Sequence, residues 1–283
     1  MIPPTSIDGT DITGVTIDGT DVQEITVDGD VVFSATPAGA FDITQVTFDT
    51  SINTQDSSPS GIAWNDDGSR LYEAGANSDN IYQYTVSTPY EITTASFQSS
   101  INSQDSFIQD IAWNDDGSRL YEVGTGSGGD IYEYSVSTSY DITTASFQTS
   151  ISARNTTPAD ITWNDDGSRL YEISFGASEI YQYTVSTAYN ITTASFQKSI
   201  STQDSSPRGI VWNDDGSRLY EIGLGSDKIY QYTVSTSFDI GTASFQTDIN
   251  TQDSVPTGIA WNGDGSRLYE VDSGTDEIYQ YTL

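Results

Sequence analysis

Residues 61–75 read GIAWNDDGSRLYEAG, and this string decides the fold because it returns four more times. Its tryptophan stands at Trp64, Trp113, Trp163, Trp212 and Trp261, at steps of 49, 50, 49 and 49 residues. The last copy, residues 258–272, reads GIAWNGDGSRLYEVD. A second constant block follows each copy, as in IYQYTVSTPYEITTASFQ at residues 81–98. Self-similarity at a fixed period of this length marks one supersecondary unit packed against copies of itself.

Each unit reads as four strands. Asp66-Asp67-Gly68 is a tight turn, since Asp and Gly tolerate left-handed backbone. It joins predicted strands at Gly61–Asn65 and about Arg70–Ala74. A third strand is predicted at about Ile81–Ser87 and a fourth at about Thr94–Ile101, on period-two alternation and β-branched or aromatic residues. No stretch has a helical period. Four short antiparallel strands per unit predict a propeller blade, and the whole predicts an all-β, five-bladed β-propeller.

The ends of the chain predict a closed ring. Leu283 falls just after a third strand, and residues 41–48, FDITQVTF, match residues 238–245, FDIGTASF. Residues 41–49 are therefore expected to complete the last blade and remove its open edge. A linear solenoid, the alternative, needs no such permuted repeat.

Before the ring runs a ten-residue repeat with predicted hairpin turns at Ile7-Asp8-Gly9, Ile17-Asp18-Gly19 and Val27-Asp28-Gly29. So short a segment buries too little to fold alone. Residues 1–36 are therefore expected to form a β anchor or assembly segment and linker, docking on a partner or on copies of itself as a homo-oligomer. Residues 37–283 are expected to form the propeller.

The chain carries 41 Asp and Glu against 9 Lys and Arg, a net charge of −32. That field repels nucleic acid and anionic membranes, and it repels itself. In molar salt the Debye length falls to about 3 Å and the repulsion is screened. The composition resembles that of proteins from extreme halophiles; an ordinary acidic extracellular protein is the alternative. With no Cys and no His, disulfides, thiolate chemistry and the commonest general base are excluded. No metal or other cofactor is expected. There is no apolar run of the ~20 residues that span a membrane, and the start lacks the basic-then-apolar layout of a signal peptide.

Two resemblances follow from these residues. The GIAWNDDGSRLYE unit followed by IYQYTVST resembles YVTN-type propeller repeats, which share a hairpin of this kind. That likeness implies the fold and little about activity. The segment IDGTDITGVTIDGTDVQEITVDGDVVF, residues 7–33, resembles the opening segments of virion proteins of haloarchaeal tailed viruses. It implies a virion surface protein, a capsid spike or tail fibre, with residues 1–36 held by other virion proteins.

Several positions could carry chemistry. Asn65, Asp67 and Ser69 place oxygens at alternate positions of the turn, as a Ca²⁺ loop does, but no closing acid follows, so a structural turn resembling the Asp-box hairpin of sialidases is expected. Arg70, Arg119, Arg169, Arg218 and Arg267 recur once per blade, which predicts structural pairing with a neighbouring Asp or Glu. Glu73, Glu122, Glu172, Glu221 and Glu270 could line a tunnel or pair with those arginines. Asp110 and Asp160 break the repeat where other blades have Gly61, Gly209 and Gly258, and they admit a paired-carboxylate hydrolase like five-bladed glycosidases. Asn155-Thr156-Thr157 and Asn190-Ile191-Thr192 match the N-glycosylation pattern.

Comparing the five units with one another separates two faces. The turns NDDGS and STPYEITT hardly vary, whereas the connections on the opposite face do. The variable connections carry Phe107, Ile108, Asp110, Arg154, Asn155, Asp160, Phe175, Arg208, Leu224 and Lys228. Apolar and basic residues in exposed loops of a rigid scaffold predict binding. The expectation is a non-enzymatic head that binds a host surface glycan or glycoprotein at the virion surface. A non-viral five-bladed lectin and a carbohydrate-active hydrolase are the alternatives.

Overall fold

The computed structural model describes residues 39–283, and before them the backbone of Ser6–Ile7, Thr10–Asp11, Glu24–Val27 and Asp30–Ser34. Residues 47–283 form five four-stranded antiparallel sheets, the blades of a five-bladed β-propeller. In the first blade the strands run Pro59–Trp64, Arg70–Gly75, Asn80–Val86 and Ala95–Asn102, from the axis outward. The innermost strands of the other four end at Trp113, Trp163, Trp212 and Trp261. Each packs on its two neighbours, and the fifth returns to the first. The only helical turns among the described residues are four short 3-10 pieces, such as Ile92–Thr94, before the outermost strands.

The ring closes as its permuted repeat requires, with a shift in position. Thr47–Asn53 is the outermost strand of the fifth blade, paired with Glu277–Thr282. Residues 41–46 are not strand. They form the turn that precedes every outermost strand, and Phe41 has φ 59° where Phe238 has φ 60°.

In the preceding segment, Ser6–Ile7 pairs with Thr10–Asp11 and Glu24–Val27 with Asp30–Ser34. The turns expected at Asp8-Gly9, Asp18-Gly19 and Asp28-Gly29 lie outside the described residues.

The constant residues build the joints between blades. Gly68 has φ +69°, and a Cβ there would lie 2.4 Å from the Tyr90 ring, so this turn requires glycine twice over. Tyr90 in turn packs on Trp64, whose other side meets Tyr269 of the fifth blade. Tyr72 Oη donates to the carbonyl of Tyr140 in the second blade, and Arg70 Nη1 donates to the same oxygen at 2.5 Å. The tyrosine bond recurs at the other four interfaces and the arginine bond at three of them, including Arg218 to Phe41 O at 2.7 Å where the termini meet, while Arg267 donates to Pro89 O and pairs with Glu91.

The recurring glutamates neither line a tunnel nor pair with these arginines. Glu73 is fully buried and accepts from the N–H groups of Gln55 and Asp56 and from Tyr84 Oη. It thus holds the connection that enters its blade. Burial raises its pKa.

Candidate functional site

The NDDGS turns spend their oxygens internally. Asn65 Nδ2 donates to Asp67 Oδ1 at 2.8 Å and to Ser69 Oγ at 3.2 Å, while Asn65 Oδ1 accepts from Arg70 N. Hydrogen bonds from Ser69 lower the Asp67 pKa. Asp66 alone is left over from this set, and it faces the ring axis.

An axial well of about 420 Å³ opens on this constant face. Asp66, Asp115 and Asp165 stand at its mouth, with Gly263 in the fifth blade's place. Its floor is Asp110 and Asp160, each nearly buried. Asp214 occupies the equivalent turn position in the fourth blade. Partial burial, with Asp165, Asp215 and Asp264 nearby, pushes its pKa up to about 6. Burial and neighbouring carboxylates likewise raise Asp66 and Asp165.

Asp110 and Asp160 are buried acids in adjacent blades that the symmetry does not explain. A Cβ on Gly61 would lie 1.8 Å from Asp110 Oδ1, and a Cβ on Gly258 would lie 3.1 Å from the Gly61 Cα. The ring is thus tightest here, and glycine in the neighbouring blades makes room for the carboxylates. Asp160 Oδ2 accepts from Ile210 N at 2.6 Å, while Asp110 Oδ1 is buried with no partner. Burial raises both pKa values, and a hydrogen bond between the two carboxyls splits them, with Asp110 the higher. Each carboxyl disfavours ionisation of the other, as like charges in one buried site do. They also belong to the well and not to the variable face, where the sequence had placed them.

The variable face keeps most of its other expected residues. Phe107 is 58% exposed. The Arg208 guanidinium lies over the Phe175 ring at 4.6 Å, and that of Arg154 over Phe196 at 4.3 Å. Arg208 Nε is buried without a partner, and burial lowers its pKa. Asn155 Oδ1 accepts from Thr157 N and Oγ1. Leu224 is half-buried. Lys228 is taken up by Asp248 at 2.5 Å. Ile108 leaves the set: it is fully buried in the core between the first two blades, filling the place that Pro59 holds in its own blade. Sequence reasoning missed Phe196. Its counterparts Phe48, Phe97, Phe147 and Phe245 recur on every outermost strand, so only the Arg154 contact marks it out.

The architecture is thus that of a five-bladed propeller with an acidic axial well and an asymmetric opposite face. The family described as "Lactonase, 7-bladed beta-propeller" matches residues 110–251, 142 of the 283 residues, and the chain belongs to that family, here with five blades. Among solved structures, a functionally unknown protein from Desulfotomaculum acetoxidans DSM 771 is similar at a TM-score of 0.49 and 13% identity. That alignment covers 76% of this chain and 62% of the other. A protein from Lactobacillus plantarum is similar at a TM-score of 0.53 and 15% identity, covering 79% of this chain and 67% of the other. At such identity the second likeness speaks for the fold alone. No protein of curated function matches the chain.

Proposed function

We propose that this propeller is a recognition head: the variable face binds a surface glycan or glycoprotein of a host, and residues 1–36 attach the head to other virion proteins. The observation that carries this reading is the pair of guanidinium–aromatic stacks, Arg208 on Phe175 and Arg154 on Phe196, together with the exposure of Phe107. Exposed aromatic rings offer apolar faces to sugar rings, and stacked guanidinium groups offer donors held in place. The recurring arginines and glutamates are by contrast spent inside the fold. The virion assignment is supported by the likeness of residues 7–33 and the acidic composition.

The test is binding of the full chain to host cells and to a glycan panel in molar salt. Replacing Phe107, Arg154 and Phe175 together with Ser should abolish binding while the melting temperature stays within a few degrees. Binding that survives this change and fails on substitution in the NDDGS face would assign the recognition surface to the other side.

A second reading, a hydrolase, is favoured by the buried pair Asp110 and Asp160, both raised in pKa, at the floor of the well and by the family's description. One carboxyl could act as acid while the other acts as base. Turnover of simple lactones that Asp160→Asn removes would support it. Equal, background rates for both proteins would end it.

A further inference from the structure

We propose that the glycan met by the variable face is an acidic one, whose carboxylate or sulfate is held by Arg208 while its sugar ring rests on the apolar rim around that guanidinium. This rests on the recognition reading and adds the ligand's charge to it.

The first observation is where the cations go. The chain has nine Lys and Arg. Seven, the five blade arginines and both lysines, are spent on carbonyls or carboxylates. Among the described residues the guanidinium groups of Arg154 and Arg208 meet no acceptor, and each lies on a ring of the third blade instead. Arg208 stands on the innermost strand Pro207–Trp212, at its variable-face end. Its Nε is enclosed, so the edge left open is that of its two Nη groups. The neighbouring Asp204 is already occupied, since it accepts from Ser206 N, Gly225 N and Ser226 Oγ. Two Nη donors on one planar edge match an oxyanion bidentately.

The second observation is that acids are withdrawn around it. The third blade's connections on this face, residues 153–157 and 175–178, contain no Asp or Glu, whereas every other blade keeps at least one. Asn155 stands where the other blades have Asp56, Asp105, Asp204 and Asp253, and Ser178 where three of them have Asp79, Asp227 and Asp276. In a chain of net charge −32 this sector alone favours an anion. A rim completes it. Where each innermost strand begins, the entering connection is tied to the loop after the second strand by a backbone hydrogen bond, as in Leu224 N to Ser206 O at 3.0 Å. One residue of each such pair is apolar and at least partly exposed: Ala76, Phe107, Phe175, Leu224 and Val255. Arg208 lies over Phe175 at 4.6 Å, so its charge is set into this rim. The C–H faces of a sugar pack on such surface while its oxyanion meets the guanidinium.

Calorimetric titration of the full chain with oligosaccharides of glucose, of glucuronate and of glucose 6-sulfate, matched in length, tests this. At ~1 M KCl the Debye length of about 3 Å confines the comparison to direct contacts. An acidic series should bind at least about tenfold more tightly than the neutral one, and the tighter of the two names the oxyanion. Arg208→Met keeps an apolar stem on Phe175 and should erase that preference. Arg208→Gln should do the same, and it copies Gln109 at the equivalent position of the second blade, so the fold accommodates it. Lys198→Met removes the same charge from an outermost strand and should leave the preference intact. Equal affinity for neutral and acidic series would overturn this inference and leave the recognition reading standing. A preference that survives both Arg208 substitutions would overturn it too. So would the absence of saturable heat in all three series, and binding of the same chain to host cells would then decide the recognition reading separately.

Discussion

Ile52 lies directly opposite Ile278 in the fifth blade, so the outermost strand of the last sheet comes from the start of the ring and its neighbour from the end. The same junction carries the bonds from Arg218 and Tyr220 to the carbonyl of Phe41. Removing residues 1–54 would leave Glu277–Thr282 as a bare edge and strip both donors of their acceptor. Removing residues 1–38 touches none of this. The longer truncation should melt at least about 10 °C below the shorter one. Equal melting curves would contradict closure by this strand.

Closure was readable because Phe41–Phe48 copies Phe238–Phe245, and a copied sequence adopts the copied geometry. Its strand begins later than alternation suggests because the aromatic at the head of the motif sits at positive φ, in a turn. The fates of Asp110 and Ile108 were not readable. Both lie on a strand that alternation describes well, but alternation does not say which positions meet four other strands at the axis. Gly61, Gly209 and Gly258 held the clue: an absent side chain at three of five equivalent positions signals crowding as well as turn chemistry. Likewise the glutamates were found as a pattern, while their partners, backbone N–H groups in the preceding connection, leave no mark on the sequence.

Gly167 should be the least replaceable residue of its turn. It has φ +65°, and a Cβ would lie 2.4 Å from the Tyr189 ring, which also packs on Trp163. Gly167→Ala combines left-handed strain with displacement of that ring, and it should cost about 2 kcal/mol or more in denaturant titrations. Gly263→Ala, where a Cβ would meet only Tyr90 Oη at 3.5 Å, should cost far less. Similar losses at both would remove the aromatic packing as the cause.

The fold should be more stable in mild acid than above neutrality. Burial raises the pKa of Glu73, Glu122, Glu172, Glu221 and Glu270, the last to about 7, and it raises Asp110 and Asp160 as well. A raised carboxyl binds its proton more tightly folded than unfolded. Its stabilisation is therefore complete below the ordinary carboxylate range and is lost as pH rises through the folded value. Melting temperature should fall between about pH 4.5 and pH 7.5. Glu270 has one carboxylate oxygen without a partner, whereas Glu73 uses both. Glu270→Gln should accordingly cost at least about 1 kcal/mol less at pH 8 than Glu73→Gln. A melting temperature that rises steadily over this range would contradict the assignment.

Salt acts on the same charges from outside. The net charge of −32 is spread over a ring whose cations are largely committed to internal joints: Arg70, Arg169 and Arg218 donate to carbonyls, and Lys198 and Lys228 each pair with one carboxylate. Few cations remain to offset the acids, and at the well's mouth burial and then neighbouring carboxylates raise the pKa of Asp66 and Asp165. At ~0.15 M salt the Debye length of about 8 Å lets neighbouring blades repel; at 1 M it is about 3 Å and they do not. Melting temperature at pH 7.5 should therefore climb steadily from ~0.05 M to molar KCl. The climb should be smaller at pH 5, where Asp160 and Asp214, raised to about 6, and Glu270, raised to about 7, are largely protonated. If KCl and an equally concentrated neutral osmolyte raise it by the same amount, preferential exclusion would account for the effect and charge screening would not.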